Sequence, residues 1–173
     1  MTQNDVKRLL HPIDRADHHR ASSFVPPAFD VPVTYETDTF RLRMLSVDVV
    51  EMDYEAVIES REQLHSQFGG PWPREGFTLQ ENRADLERHQ REFEQREAFA
   101  YTMVNLGESR VLGCVYVNPS EGDSTDAEVI MWVRQGEIDN GLDSILFETV
   151  KRWLRQRWPF ERISYPGRDT TGR

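Results

Sequence analysis

Ala127-Glu128-Val129-Ile130-Met131-Trp132-Val133-Arg134 is followed, after seven intervening residues, by a stripe of Leu142, Ile145, Leu146, Thr149, Val150, Trp153 and Leu154, and then by Glu161-Arg162-Ile163-Ser164-Tyr165. The first run is dense in β-branched and apolar residues and reads as a strand. The stripe has the 3.6-residue spacing of a helix with one buried face. Lys151, Arg152, Arg155 and Arg157 gather in its last turns, where cations suit the helix dipole, and Pro159 ends it. Residues 161–165 are a short second strand. A strand, a helix and a strand in this order make a crossover, which is right-handed and pairs its strands in parallel.

Working back from this unit, Phe99–Asn105 and Arg110–Asn118 are two more strand-like runs, joined by Leu106-Gly107-Glu108-Ser109. With the loop from Pro119 to Thr125 they predict an antiparallel meander ending in the 127–134 strand. Thr78-Leu79-Gln80-Glu81 is a capping box that starts a helix running to Glu97. Its Glu87/Arg91 and Glu92/Arg96 spacings predict ion pairs on an exposed face. Val50, Tyr54, Val57, Ile58, Arg61 and Leu64 predict a helix over 48–66, broken by Gly69-Gly70-Pro71-Trp72-Pro73. Phe40, Leu42 and Met44 alternate as a strand. The expected fold is α/β with a mixed sheet, in the order β-α-α-β-β-β-α-β.

Residues 1–38 hold four of the nine prolines and none of the ten glycines, and read as a Pro-rich arm. Residues 39–167 form the domain, and 168–173 a tail. The 173 residues carry 21 Lys+Arg against 30 Asp+Glu, a net charge of −9. That balance repels polyphosphate and argues against nucleic-acid binding. One cysteine, Cys114, excludes an internal disulfide and the common Cys-based zinc sites, and fits a cytoplasmic protein. No apolar run has the length of a spanning helix, so no membrane segment is expected.

The order of elements resembles the GNAT N-acyltransferase superfamily, in particular its RimJ/RimL-like branch. The resemblance covers 39–167 and rests on Phe40-Arg41-Leu42-Arg43-Met44-Leu45, Val111-Leu112-Gly113-Cys114-Val115-Tyr116 and Ala127–Arg134. It implies acetyl-CoA as co-substrate, a small-molecule or peptide amine as acceptor, and a gap between the last two strands that takes the pantetheine arm. Backbone at Trp132, Val133 and Arg134 would hold that arm as an added strand holds a sheet edge. The pyrophosphate would sit on the following helix at Gly141, Leu142 and Ser144.

Two departures mark the sequence. The family's Arg/Gln-x-x-Gly-x-Gly/Ala signature aligns with Ile138, Gly141 and Asp143, and only Gly141 fits. A carboxylate about 5 Å from a phosphate, at an effective dielectric of about 20, costs roughly 3 kcal/mol, about a hundredfold in affinity. Asn140 is the expected N-cap of this helix, with Asp143 in the first turn to suit the dipole. The family's further helix and strand pair have no counterpart after Tyr165, which leaves a sheet edge open. The arm, through Val31 to Tyr35, is expected to cover an edge of its own chain or of a second copy in a homodimer.

Glu128 is the candidate base for the attacking amine, and Tyr165 the candidate acid for the leaving thiolate. Trp72, set between prolines, is the candidate wall of the acceptor pocket. Each has a plainer reading as a solvated acid, a core tyrosine and a packed loop. Cys114 reads as a small buried apolar residue. His11, Asp14, Asp17, His18 and His19 crowd together, but nothing fixes a ligand geometry, and no metal is expected. The rival to an acyltransferase is a non-catalytic GNAT-like binding domain that has lost CoA binding, which Asp143 and the short C-terminus favour.

Overall fold

The computed structural model describes residues 23–122 and 124–168. Six strands form one sheet in chain order: β1 (Thr34–Glu36), β2 (Phe40–Met44), β3 (Phe99–Asn105), β4 (Val111–Pro119), β5 (Ala127–Val133) and β6 (Ile163–Ser164). All neighbours are antiparallel except β5 and β6, which the crossover makes parallel. The helices are α1 (Val50–Glu59), α2 (Arg61–Phe68), α3 (Leu79–Glu94) and α4 (Leu142–Arg157). The mixed α/β architecture is the expected one, with one strand and one helix break more.

The added strand is β1, whose residues pair with β2 from Thr34↔Arg43 to Glu36↔Arg41. It follows from a tight turn in which Thr37 Oγ1 accepts from the Phe40 N–H at 3.0 Å and reverses the chain. The helix expected over 48–66 starts with a 3₁₀ turn at Val47–Val49 and breaks at Ser60. Ser60 is buried, and its hydroxyl accepts from the Gln135 N–H at 3.0 Å. That bond ties the helix break to the turn after β5.

The capping box of α3 forms as both halves: Glu81 N–H donates to Thr78 Oγ1, and Thr78 N–H to Glu81 Oε2. The predicted Glu92/Arg96 pair does not form. Glu92 is buried and bonded to His89 and Arg88, while Arg96 lies beyond the helix at φ 61° and donates to the carbonyls of Pro26 and Phe29, at 2.9 Å each. Asn140 is likewise not the cap of α4. Gly141 takes that position at φ 72°, and the Asn140 amide donates to Glu137 instead.

Two cores fill the two faces of the sheet. On one, α4 and the segment from Phe24 to Tyr35 cover Phe99, Tyr101, Val129, Met131 and Val133. On the other, α1, α2 and α3 cover Ala100, Cys114, Tyr116, Ile130 and Trp132. Tyr101 anchors the first core by donating to the Pro32 carbonyl at 2.6 Å and packing edge-on against Trp153. No helix among the described residues is long and apolar enough to cross a membrane.

Candidate functional site

β5 has unequal neighbours. Seven register pairs join it to β4, from Gly113↔Val133 to Pro119↔Ala127, but only Ala127↔Ile163 and Glu128↔Ser164 join it to β6. Gly113 permits the close side, because a Cβ there would lie 2.1 Å from the Trp132 carbonyl oxygen. Beyond Glu128 the strands part. The gap opens into a cleft of about 460 Å³, lined by α2 (Gln63, Gln67, Phe68), β5 (Ile130, Met131) and the residues around Asp143 and Arg168.

The β5 main chain meets side chains here. The Met131 carbonyl accepts from Gln67 Nε2 at 2.9 Å and from Arg168 at 3.3 Å, and the Val133 carbonyl accepts from Gln63 Nε2 at 3.1 Å. Asp143, the carboxylate expected to oppose a phosphate, is ion-paired. Arg168 grips it through two nitrogens at 2.9 and 2.7 Å, with its guanidinium 5.0 Å over the Phe147 ring. A bidentate arginine cancels most of the repulsion that the carboxylate alone would exert. The sequence expectation of an unopposed charge is corrected by a residue 25 positions away.

None of the nine sequence-derived candidates lines this cleft. Val133 touches it through the Gln63 bond, and Gly141, Leu142 and Ser144 flank Asp143 in the first turn of α4. Glu128 is half-buried where β5 leaves β6, opposite Asn118 on one side and Ser164 on the other. Tyr165 is buried edge-on against Phe147, and burial pushes its phenol up to about 12. Trp132 is fully buried, its indole N–H 3.5 Å from the Tyr116 hydroxyl. Trp72 packs edge-on to Phe77 on the loop before α3.

Arg134 is buried and donates to Glu59 at 2.7 Å, Glu55 at 2.5 Å and the Val111 carbonyl. It thus fastens the end of β5 to α1, and its hydrogen bond and charge hold Glu59 below the usual carboxylate range. Gln63, Gln67 and Arg168 had no signal in the sequence. Polar residues on a helix surface or near a chain end look alike whether they face solvent or a cleft.

A second, small cavity of about 10 Å³ lies under α1 and α3, among Asp53, Asn82, His89 and Tyr116. It has room for about one water molecule. Asp53 accepts from Asn82 at 2.9 Å and lies 3.6 Å from the Cys114 thiol, and burial pushes its carboxyl up to about 6. Burial likewise lowers His89. No group of three or more His, Cys, Asp or Glu side chains that could hold a metal occurs among the described residues. The histidine-rich stretch at 11–19 lies outside them.

Several solved structures are similar to this fold. A ribosomal-protein-S5-alanine acetyltransferase from Vibrio fischeri superposes with a TM-score of 0.62 at 16% identity, over 78% of this chain and 73% of its own. The chain has the GNAT fold. RimL, a ribosomal L7/L12 α-N-protein acetyltransferase solved in complex with coenzyme A, is similar over 72% of this chain and 67% of its own, with a TM-score of 0.56 at 17% identity. The microcin C7 self-immunity acetyltransferase MccE, solved with acetyl-CoA and AMP, is similar over 75% and 69%, with a TM-score of 0.62 at 12% identity. No family profile and no curated protein matches the sequence. At these identities the likeness establishes the GNAT fold, and the activity needs its own argument.

Proposed function

We propose that this GNAT-fold chain is an acetyl-CoA-dependent N-acetyltransferase whose acceptor is a peptide or protein amine. The observation that carries this reading is the parting of β5 from β6 after two pairs, which opens a cleft beside strand carbonyls and the first turn of α4. An extended arm bearing amides suits such a cleft, because main-chain groups can hold it as they hold a strand. The Arg168–Asp143 pair makes the mouth near neutral, so the site tolerates an anion better than Asp143 alone would allow. Two of the similar structures carry names that describe acetylation of ribosomal proteins, which favours a peptide amine.

Acetyl-CoA would supply the thioester carbonyl. In this reading Glu128 takes the proton from the attacking nitrogen, directly or through water, as the C–N bond forms and the C–S bond breaks. Tyr165 returns a proton to the leaving sulfur; burial, which pushes its phenol up to about 12, leaves it protonated at neutral pH but a weaker acid than a free tyrosine. Val133, with Met131, supplies the backbone edge, while the Trp132 carbonyl and the Arg134 N–H are turned to β4. Leu142 and Ser144 supply first-turn amides beside Gly141, whose own N–H already donates to the Ile138 carbonyl. Trp72, packed on Phe77 outside the cleft lining, is a wall only for the part of the acceptor that extends beyond the cleft.

Saturating acetyl-CoA, at about a hundred times its Kd, should stabilise the protein by about 2.7 kcal/mol and raise Tm by several degrees. No shift at millimolar ligand would remove the proposal. Glu128→Gln should keep that shift while lowering thiol release with a peptide amine by about a hundredfold or more. Equal turnover would remove Glu128 from the mechanism. The second reading, a GNAT-fold binding domain without catalysis, is favoured by the side chains already seated on the β5 carbonyls. Ligand-induced stabilisation without turnover on any amine would select it.

A further inference from the structure

We propose that Gln63, Gln67 and Arg168 cover the pairing edge of β5, so that a ligand lying along this strand binds only as they swing off it. This rests on the acyl-CoA reading of the cleft and concerns how that site is regulated. The spacing of the two glutamines fits the strand. Residues i and i+4 of a helix rise by about 6 Å, and residues i and i+2 of a strand by about 6.6 Å. Gln63 therefore meets Val133 and Gln67 meets Met131, with α2 running opposite to β5. The two amides also bond to each other at 3.4 Å, and Arg168 adds a second donor to Met131. Together they act as a short strand built from side chains.

These carbonyls are the acceptors that an arm carrying amide N–H donors would use. Met131 already accepts from two donors and Val133 from one, each seated where the arm would lie, so an arm that runs along both carbonyls must move at least one of these side chains. The cover is nonetheless weak. A glutamine held in one rotamer gives up conformational freedom that offsets much of its hydrogen bond. It therefore weakens an incoming ligand by a modest factor and does not exclude it.

The test titrates coenzyme A into the full chain and into the double variant Gln63→Met/Gln67→Met by calorimetry. Methionine keeps length and helix propensity but lacks the donor. The double variant should bind about tenfold more tightly. An unchanged or weaker Kd, at an unaltered melting temperature, overturns the cover and leaves the acyl-CoA reading standing. Binding by the variant where wild type shows none supports the cover in its strongest form. Failure of both proteins to bind overturns the acyl-CoA reading and the cover with it. Wild-type side-chain amide NMR signals give a second readout that does not depend on the variant folding. Saturation with coenzyme A should move the Gln63 and Gln67 amides to solvent-like positions, and unmoved signals in the saturated complex overturn the cover.

Discussion

Asp53 is 3% exposed, with the Asn82 amide and the Cys114 thiol as its neighbours and no cation among the described residues bonded to it. Burial raises its pKa to about 6 in the fold, from 3.8 when unfolded. Between those values the native state holds more protons than the unfolded chain, so this group's contribution falls as pH rises from about 4 to 6 and stays low above. Asp53→Asn should then gain about 1–3 kcal/mol at pH 7, with the gain vanishing toward pH 4. Urea unfolding of both proteins at the two pH values checks it, and the difference between them removes the opposing contribution of His89. A variant no more stable at pH 7 than wild type would contradict it. The burial of Cys114 was readable from its setting between Gly113 and Val115. That of Asp53 was also encoded, since it lies three residues after Val50 and four before Val57 on the apolar face of α1, but an aspartate in a charged helix reads as solvated.

At the scale of elements, the strongest sequence signals are those with local causes. The capping box of α3 depends on two residues and forms as expected. Thr78→Ala should cost about 1 kcal/mol, measured by denaturant unfolding. Gly113 matters for a non-local reason, the 2.1 Å approach of a Cβ to the Trp132 carbonyl. Gly113→Ala should destabilise by about 3 kcal/mol or more, since β4 must leave β5 to admit a methyl group, and a loss under 1 kcal/mol would show that the ladder yields easily. That the segment through Val31 to Tyr35 covers an edge was expected, and it does so on β2 of its own chain, but the strand itself was not legible from periodicity, because three residues in a proline-rich stretch show no alternation. Asp143 and Ile138 of the cleft lining were singled out in the sequence, but its glutamines were illegible for a related reason. Gln63 and Gln67 take their meaning from β5, some 65 residues further on, and helical periodicity carries no such information.

For the molecule as a whole, the segment before β2 completes a core. Phe24 stacks on Phe99 and Phe160, Phe29 packs on Trp158, and Tyr35 stacks on Trp153. Such contacts contribute about 0.5–1.5 kcal/mol each beyond burial, so a chain starting at residue 37 should melt more than about 10 °C lower and bind apolar dyes. A truncated chain with an unchanged Tm would show the segment to be dispensable. The two sides of the cleft differ in the same way as the two sides of the sheet. β5 is stitched to β4 along its whole length and bolted to α1 by Arg134, whereas β6 is tied to β5 only at its start, by two register pairs and the bonds of Asp126 to Glu161 and Arg162, before the chain continues into Arg168. The cleft is therefore stiff on one wall and compliant on the other, and any guest that widens it will do so by moving the chain from Ile163 onward while β5 stays as the fixed reference.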